Sequence, residues 1–414
     1  PAALQRRKLF AKVDERPIAQ SPIFGTWQET WEAVSRRIGQ EKHILIIDEL
    51  PYAAESDPAM LSSLQHAWDG LFQNSNTIIV VCGSQVRTME SLQKRQSPLF
   101  GRFTGQWHLQ PLPFHTLIEF FPNWSIAERV ALYGILGGIP AYLEWLDPDL
   151  NLVENLNQVI LDSGSMFLSE PTLLLYEEVR DPQSYLAVLK AIGAGCHTPT
   201  DISNHSLIGK SHLASYLNRL RELRFVERRL PATIPTAKRR TSRRGRYHLQ
   251  DPYFRFYFRF MAPFHEDLPF DSMPVLTKVR QELRAFIGQT TFEELSRHWV
   301  QIQARNGALP FVPERIGSHW DRGAQVDVVA INWHEHRILL GECKWGDKLV
   351  GKGVIDELIL KKTPRVLKTL PNNGEGWQVE YAFFARVGFT VSAKTTAKDI
   401  GAYLVDLDAL NRVM

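Results

Sequence analysis

The stretch HILIIDELPY, His43–Tyr52, runs four apolar residues straight into Asp48 and Glu49 and then a proline. A short, β-branched run of this kind is the pattern of a buried parallel strand. Its end delivers two carboxylates where a metal–nucleotide site would sit. The Asp would hold Mg²⁺ through water, and the Glu would polarise the water that attacks a γ-phosphate. The bland alternative is a strand that merely ends in acids.

Working outward, NTIIVVCGSQ (Asn76–Gln85) is a second run of the same type. Between the two, Met60, Leu64, Trp68 and Leu71 fall at helical spacing. Strand, helix, strand makes one βαβ unit of a doubly wound sheet. Ser84 follows the second strand, where a polar side chain can sense a γ-phosphate. SPLFGR places Arg102 on a turn that could reach a phosphate in its own subunit or in a neighbour, so a homo-oligomer is compatible with it. Such a site also needs GxxxxGK[ST], whose backbone N–H groups and lysine cradle the phosphates. The one GKS, Gly209–Ser211, has Asn204 where the first glycine should stand, and no buried strand precedes it. It is a decoy. Residues 1–42 hold no phosphate loop either, so ATP hydrolysis by these 414 residues is not expected.

A length of 414 residues suggests two or three domains. At 44% hydrophobic and 22% charged the composition is that of an ordinary globular protein. Net charge is only +3, yet Lys238, Arg239, Arg240, Arg243, Arg244 and Arg246 crowd into KRRTSRRGR. That cluster fits a polyanion such as DNA, the alternative being a solvated loop. Cys82, Cys196 and Cys343 stand far apart with no CxxC. Neither a zinc site of usual spacing nor a disulfide framework is expected, which points to a reducing cytoplasm. No apolar run approaches membrane-spanning length, so no membrane partner is expected.

From about Glu170 to Leu268 helical periodicity leads, with Leu213, Leu217, Leu220 and Leu223 on one face. An extended FVERRLP, the arginine-rich run and GRYHLQDP come next. Helices, then a hairpin with a basic tip, is the order of a winged helix-turn-helix. The string YFRFYFRF (Tyr253–Phe260) reads as a packing helix rather than a base-stacking platform. Beyond it come a helix, the strands QVDVVAIN and RILLGECKW with HEH at their turn, a further helix and the strand YAFFARV. This is α/β material around a small mixed sheet.

The last block carries the sharper constellation. In a hairpin, Glu342 and Lys344 share a face by the period-two rule, and Asp327 on the preceding strand can converge on it. Two carboxylates suit Mg²⁺ or Mn²⁺, while the lysine orients the attacking water and offsets charge on a phosphorane. Glu293, in TFEELSR on the preceding helix, could add a metal contact. The alternative is an edge strand with surface charges.

Taken in order, IIDELPY, CGSQV, SPLFGR, GGIPAYL, GRYHLQDPYFRFYFRF and QVDVVA…GECKW resemble the archaeal-type P-loop ATPase family, a STAND-related, AAA-like lineage. The resemblance implies an α/β fold in three parts. Residues 1–169 would be a partial P-loop ATPase domain with a helical lid and no Walker A. Residues 170–268 would form a winged helix-turn-helix, and residues 269–414 a PD-(D/E)XK nuclease-like domain. It makes Asp48 and Glu49 the Walker B pair, Ser84 a sensor and Pro140 a neighbour of the adenine. Asp327, Glu342 and Lys344 become the nuclease triad. The implied activity is a DNA-associated ATPase–nuclease fusion using Mg²⁺ and, where the phosphate loop is present, ATP. The alternative is a non-catalytic DNA-binding or scaffolding switch.

Overall fold

The computed structural model describes residues 2–84 and 86–414; Gln85, at the end of the second predicted strand, lies outside them. The chain forms two compact units, Pro1–Leu109 and Gln110–Met414. In the first, β1 (His43–Ile47) and β2 (Thr77–Val81) pair in parallel, from His43 opposite Thr77 to Ile47 opposite Val81. Leu45 and Ile47 point into a core with Trp27, Trp31 and Val34 of the helix Trp27–Ile38. That helix starts on Thr26, whose side chain accepts the Glu29 N–H, and stops at Gly39 with φ 67°.

The alternate residues do not match the expectation of strands buried on both faces. Ile44, Ile46 and Ile78 are 66%, 63% and 61% exposed, and Val80 is 40% exposed. Among the described residues, helices cover only one face of this ribbon, and the period-two rule sends the other set outward.

The second unit has a core running from Leu117 to Val279, across both expected boundaries at 169/170 and 268/269. Residues 110–169 therefore pack with the helices that come after them in the chain, and neither boundary separates one packed body from another. Gly138 belongs to this core region because the Leu112 backbone occupies the space a Cβ would need, and Leu112 N–H donates to the Gly138 carbonyl at 2.7 Å. The helices Pro182–Gly193, Pro199–Ser206 and Lys210–Glu222 precede an antiparallel pair, β3 (Val226–Arg229) and β4 (Arg246–Leu249). Leu213, Leu217 and Leu220 are buried as expected from their spacing. Tyr253, Phe254, Phe256, Tyr257, Phe258 and Phe260 are all buried, so the aromatic string is a packing helix.

A five-stranded sheet ends the unit, in the order β5 (Arg315–Trp320), β6 (Gln325–Asn332), β7 (Arg337–Lys344), β8 (Gln378–Ala385), β9 (Tyr403–Asp406). Its first two pairings are antiparallel and its last two parallel. Val328, Ala330 and Leu339 face the helix Glu293–Arg305 through Leu295 and Trp299. Ile331, Ile338 and Leu340 face the other way, onto Ile355, Leu358 and Val366. Among the described residues, no helix is long and apolar enough to cross a membrane.

Candidate functional site

In the first unit the end of β1 is sharply turned. Glu49 adopts φ 50°, ψ 44°, a left-handed conformation uncommon for a non-glycine residue, and opens the helix Leu50–Ser56. Its N–H donates to Asp48 Oδ1 at 2.9 Å. The Cys82 thiol donates to the same oxygen at 3.3 Å, and Ser84 Oγ donates to Glu49 Oε2 at 3.4 Å. Parallel pairing of β1 and β2 thus gathers Asp48, Glu49 and Ser84 at the carboxyl ends of the strands, where open α/β sheets bind ligands. Burial pushes the Cys82 thiol up, and the hydrogen bond to Asp48 adds to this. Arg102 is already engaged: Nε and Nη2 hold Asp69 at 2.8 and 2.6 Å. Pro140 belongs to the other unit, where it starts the helix Pro140–Glu144.

In the second unit a fork forms between β6 and β7. The antiparallel ladder ends at Val328 opposite Gly341, and a register shift on the β5 side falls between Gly317 and His319. A bulge of this kind re-aims side chains at a sheet's working end. Beyond the ladder, Asp327 Oδ2 accepts the Cys343 N–H at 3.0 Å. The Asp327 carboxylate is thereby pinned at the fork.

Glu342 is 3% exposed and lies on the Ile338/Leu340 face by alternation. Burial, and then the charge of Asp327, raise its carboxyl, while hydrogen bonding to Lys362 and the charge of Lys344 pull the other way. Lys344 Nζ donates to Glu342 Oε2 at 3.1 Å and Lys362 Nζ to Oε1 at 2.7 Å. Burial lowers Lys344, but Glu342 and then Asp327 outweigh it and leave the ammonium raised. Glu293 is pushed up to about 8 by burial and by Asp327, against the opposing pull of Arg297, which it meets at 3.2 Å. At neutral pH that carboxyl is mostly protonated. It stands on the helix Glu293–Arg305, where the Asp327 charge acts on it.

Among the described residues no three acids, histidines or cysteines form a ready metal cage. The donor chemistry nevertheless fits Mg²⁺, which keeps several waters and commonly takes one or two carboxylates. Lys362 was invisible to sequence reasoning, being a lysine 18 residues beyond Lys344 with no motif around it.

The arginine-rich run packs partly against β5. Trp320 Nε1 donates to the Arg244 carbonyl at 3.1 Å, and the Arg246 guanidinium lies 5.0 Å from the Trp320 ring centre. Arg239 Nη1 donates to the Pro231 carbonyl at 3.1 Å. Lys238, Arg240, Arg243 and Arg244 are exposed.

Residues 5–146 match the model of an ATPase domain predominantly from Archaea, and residues 257–354 match one described as archaeal and bacterial proteins of unknown function. The chain is 33% identical over 321 residues to the uncharacterized protein MJECL04 of Methanocaldococcus jannaschii, spanning 77% of this chain and 71% of that protein. The chain belongs to this archaeal ATPase-domain family. Membership implies nucleotide and Mg²⁺ use in general. The mixed α/β chain is also similar to the Walker-type ATPase PABY2304 of Pyrococcus abyssi, at 19% identity and TM-score 0.40, over 56% of this chain and 68% of that one. The ATPase match contains Asp48, Glu49, Ser84, Arg102 and Pro140, whereas the second contains Glu293, Asp327, Glu342 and Lys344.

Proposed function

We propose that this ATPase-family protein is a DNA-associated ATPase–nuclease fusion whose second unit carries a Mg²⁺-dependent phosphodiesterase-like site. The observation that carries the reading is the fork: Asp327 fixed by the Cys343 N–H, beside a buried Glu342 and the Lys344 ammonium. The β5–β9 order with a helix against one face suits a PD-(D/E)XK-like domain, and the three helices followed by β3 and β4 suit a winged helix. Asp327 and Glu342 would hold the divalent ion, with Mn²⁺ as an alternative. A bound ion there supplies Lewis-acid stabilisation of a phosphodiester.

The chain's own groups do the rest. Lys344, raised and therefore charged, offsets negative charge and can orient an attacking water. Lys362 balances Glu342 when no cation is present. Glu293 holds a proton near the Asp327 carboxylate at neutral pH. The exposed arginines of the β3–β4 connection would grip the phosphate backbone. In the first unit, Asp48 and Glu49 are the proposed Walker B pair and Ser84 the proposed sensor.

Cleavage of plasmid and linear DNA with Mg²⁺ or Mn²⁺ tests this. Asp327→Asn and Lys344→Ala should each lower the rate roughly a hundredfold or more. Asp327→Asn should also weaken Mn²⁺ binding measured calorimetrically. Cleavage that survives both substitutions refutes the site. A second reading, a non-catalytic DNA-binding switch, has its own support: Glu342 is already closed by two lysines. Under that reading DNA binds, Mn²⁺ does not, and nothing is cut.

A further inference from the structure

A cleft of about 550 Å³ opens within the second unit, apart from the side chains of the fork. Its walls come from the helices Ile126–Leu136 and Met273–Ile287, from the segment around Leu152–Leu156, and from the residues that directly follow β7 and β8. Val153, 49% exposed, and the half-buried Ala131 and Leu283 form its accessible apolar side, while Leu156, Val279 and Ile287 lie beneath them almost wholly buried. A volume of this order is that of a small-molecule pocket rather than of a protein interface.

Charge at the mouth is one-sided. Arg280, Arg284 and Arg386 line the cleft, and the single acid among the described lining residues is Glu128. That carboxylate is spent on its own helix start, accepting the Ser125 N–H at 3.0 Å and the Ser125 hydroxyl at 2.6 Å. Arg284 is held by Asp347 at 2.8 Å. Arg280 and Arg386 have no carboxylate partner among the described residues, and Arg386 instead stacks on Trp345, 5.3 Å from the ring centre. Arg386 and Trp345 follow the carboxyl ends of two adjacent parallel strands, the place where open α/β sheets take ligands.

The walls also exclude several occupants. Methyl and methylene groups dominate, and the Ser125 hydroxyl is used internally, so a sugar, a base edge or a peptide backbone would be buried without partners. We propose that the cleft binds a free, single-chain anionic amphiphile: a hydrocarbon tail between the helices, with a carboxylate or phosphate head between Arg280 and Arg386. The proposal stands on this cleft alone and does not depend on the fork being a nuclease. Trp345 directly follows Lys344, so an occupant would press on the end of the strand that carries the candidate site.

Isothermal titration of the 414-residue chain with octanoate, decanoate and dodecanoate, each below micelle formation, tests this. Affinity should rise roughly fourfold per added methylene, the value expected for transfer out of water. Decyltrimethylammonium should bind at least tenfold more weakly than decanoate. Arg280→Glu combined with Arg386→Glu should erase that preference. Val279→Trp should fill the cleft and abolish binding. Because Val279 is buried and its replacement could disturb folding, Val153→Trp at the open mouth should give the same loss in a chain whose circular dichroism is unchanged. Chain-length independence, equal binding of the cation, or full affinity in both tryptophan variants overturns the proposal. So does binding to phosphatidylglycerol vesicles with none to decanoate, which would mark a membrane-facing patch instead.

Discussion

Two carboxylate pairs stand at strand ends in this protein, and their surroundings differ. Asp48 is exposed and Glu49 half-buried, at the end of a two-stranded ribbon with one apolar face uncovered. Asp327 and Glu342 sit at a fork inside a five-stranded sheet covered on both faces, with Glu342 buried and tied to two lysines. The second pair lies closer to cations: Glu342 is buried between the Lys344 and Lys362 ammonium groups, and burial and the Asp327 charge raise its carboxyl. The first has its acids in place without the GxxxxGK[ST] loop that cradles a triphosphate in P-loop sites. Backbone N–H groups of a phosphate loop supply most of that binding, and these 414 residues hold no GxxxxGK[ST].

The largest expected effect breaks this contrast from the weaker side. These 414 residues should show no ATP turnover above background. An upstream strand–loop–helix containing GxxxxGK[ST] should bring turnover to an ordinary ATPase level, and Glu49→Gln should remove it again, by roughly a hundredfold or more. DNA cleavage by the second unit should be indifferent to Glu49→Gln. Robust hydrolysis by the unextended chain would show that Asp48 and Glu49 do not depend on such a loop.

A smaller effect tests why the second unit is better buttressed. Glu294, next to Glu293, takes Arg255 Nη1 and Nη2 at 2.6 and 2.9 Å and Arg229 Nη2 at 2.7 Å. It ties the aromatic helix and β3 to the helix that backs the fork. Burial raises its carboxyl, but Arg255 and then Arg229 outweigh this and bring it down to about 2. Because the folded value lies below the unfolded one, near 4.3, the stabilisation is fully present above about pH 4.3. It is lost as pH falls towards 2. Glu294→Ala leaves Arg255 buried without a carboxylate and Arg229 with Glu227 alone, and should cost about 3 kcal/mol in urea unfolding of this unit at pH 7. It should also remove part of the acid sensitivity. An unchanged midpoint would mean that the arginines find water instead.

Both strand-end pairs were legible in the sequence because each follows an apolar run whose period is visible locally. HILII and RILLG read as strands without knowledge of their partners, and Glu342 and Lys344 share a face from spacing alone. The illegible parts depend on distant pairing. β5 is RIGSHW, with little alternation, and is made a strand by the ladder with β6. Lys362 reaches Glu342 only because its helix packs under β7. The outward face of β1 and β2 reads as buried, wrongly, because β-branched runs look alike whether one face or two are covered. The core that continues across residue 169 through Leu117, Phe167 and Phe258 leaves no trace in local periodicity.

The smallest expected effect concerns the arginine-rich run, where the structure divides a patch that is single in sequence. Each phosphate contact releases counterions, so losing one should flatten the log–log salt dependence of DNA binding by roughly 0.9. Arg240, Arg243 and Arg244 are exposed, and replacing all three by Ala should flatten the slope by between two and three units if each touches a phosphate. Arg239 and Arg246 are half-buried, one on the Pro231 carbonyl and the other against Trp320. Their replacement should lower the thermal midpoint and change the slope by less than one unit. Fluorescence anisotropy with a duplex across a range of salt concentrations, together with melting curves of the same variants, separates the two sets. If the exposed set moves neither affinity nor slope, the basic run is a solvated loop and DNA is not its partner. If the packed set moves the slope as much as the exposed one, the loop leaves β5 when it binds, and its contacts with Trp320 belong to the unbound state alone.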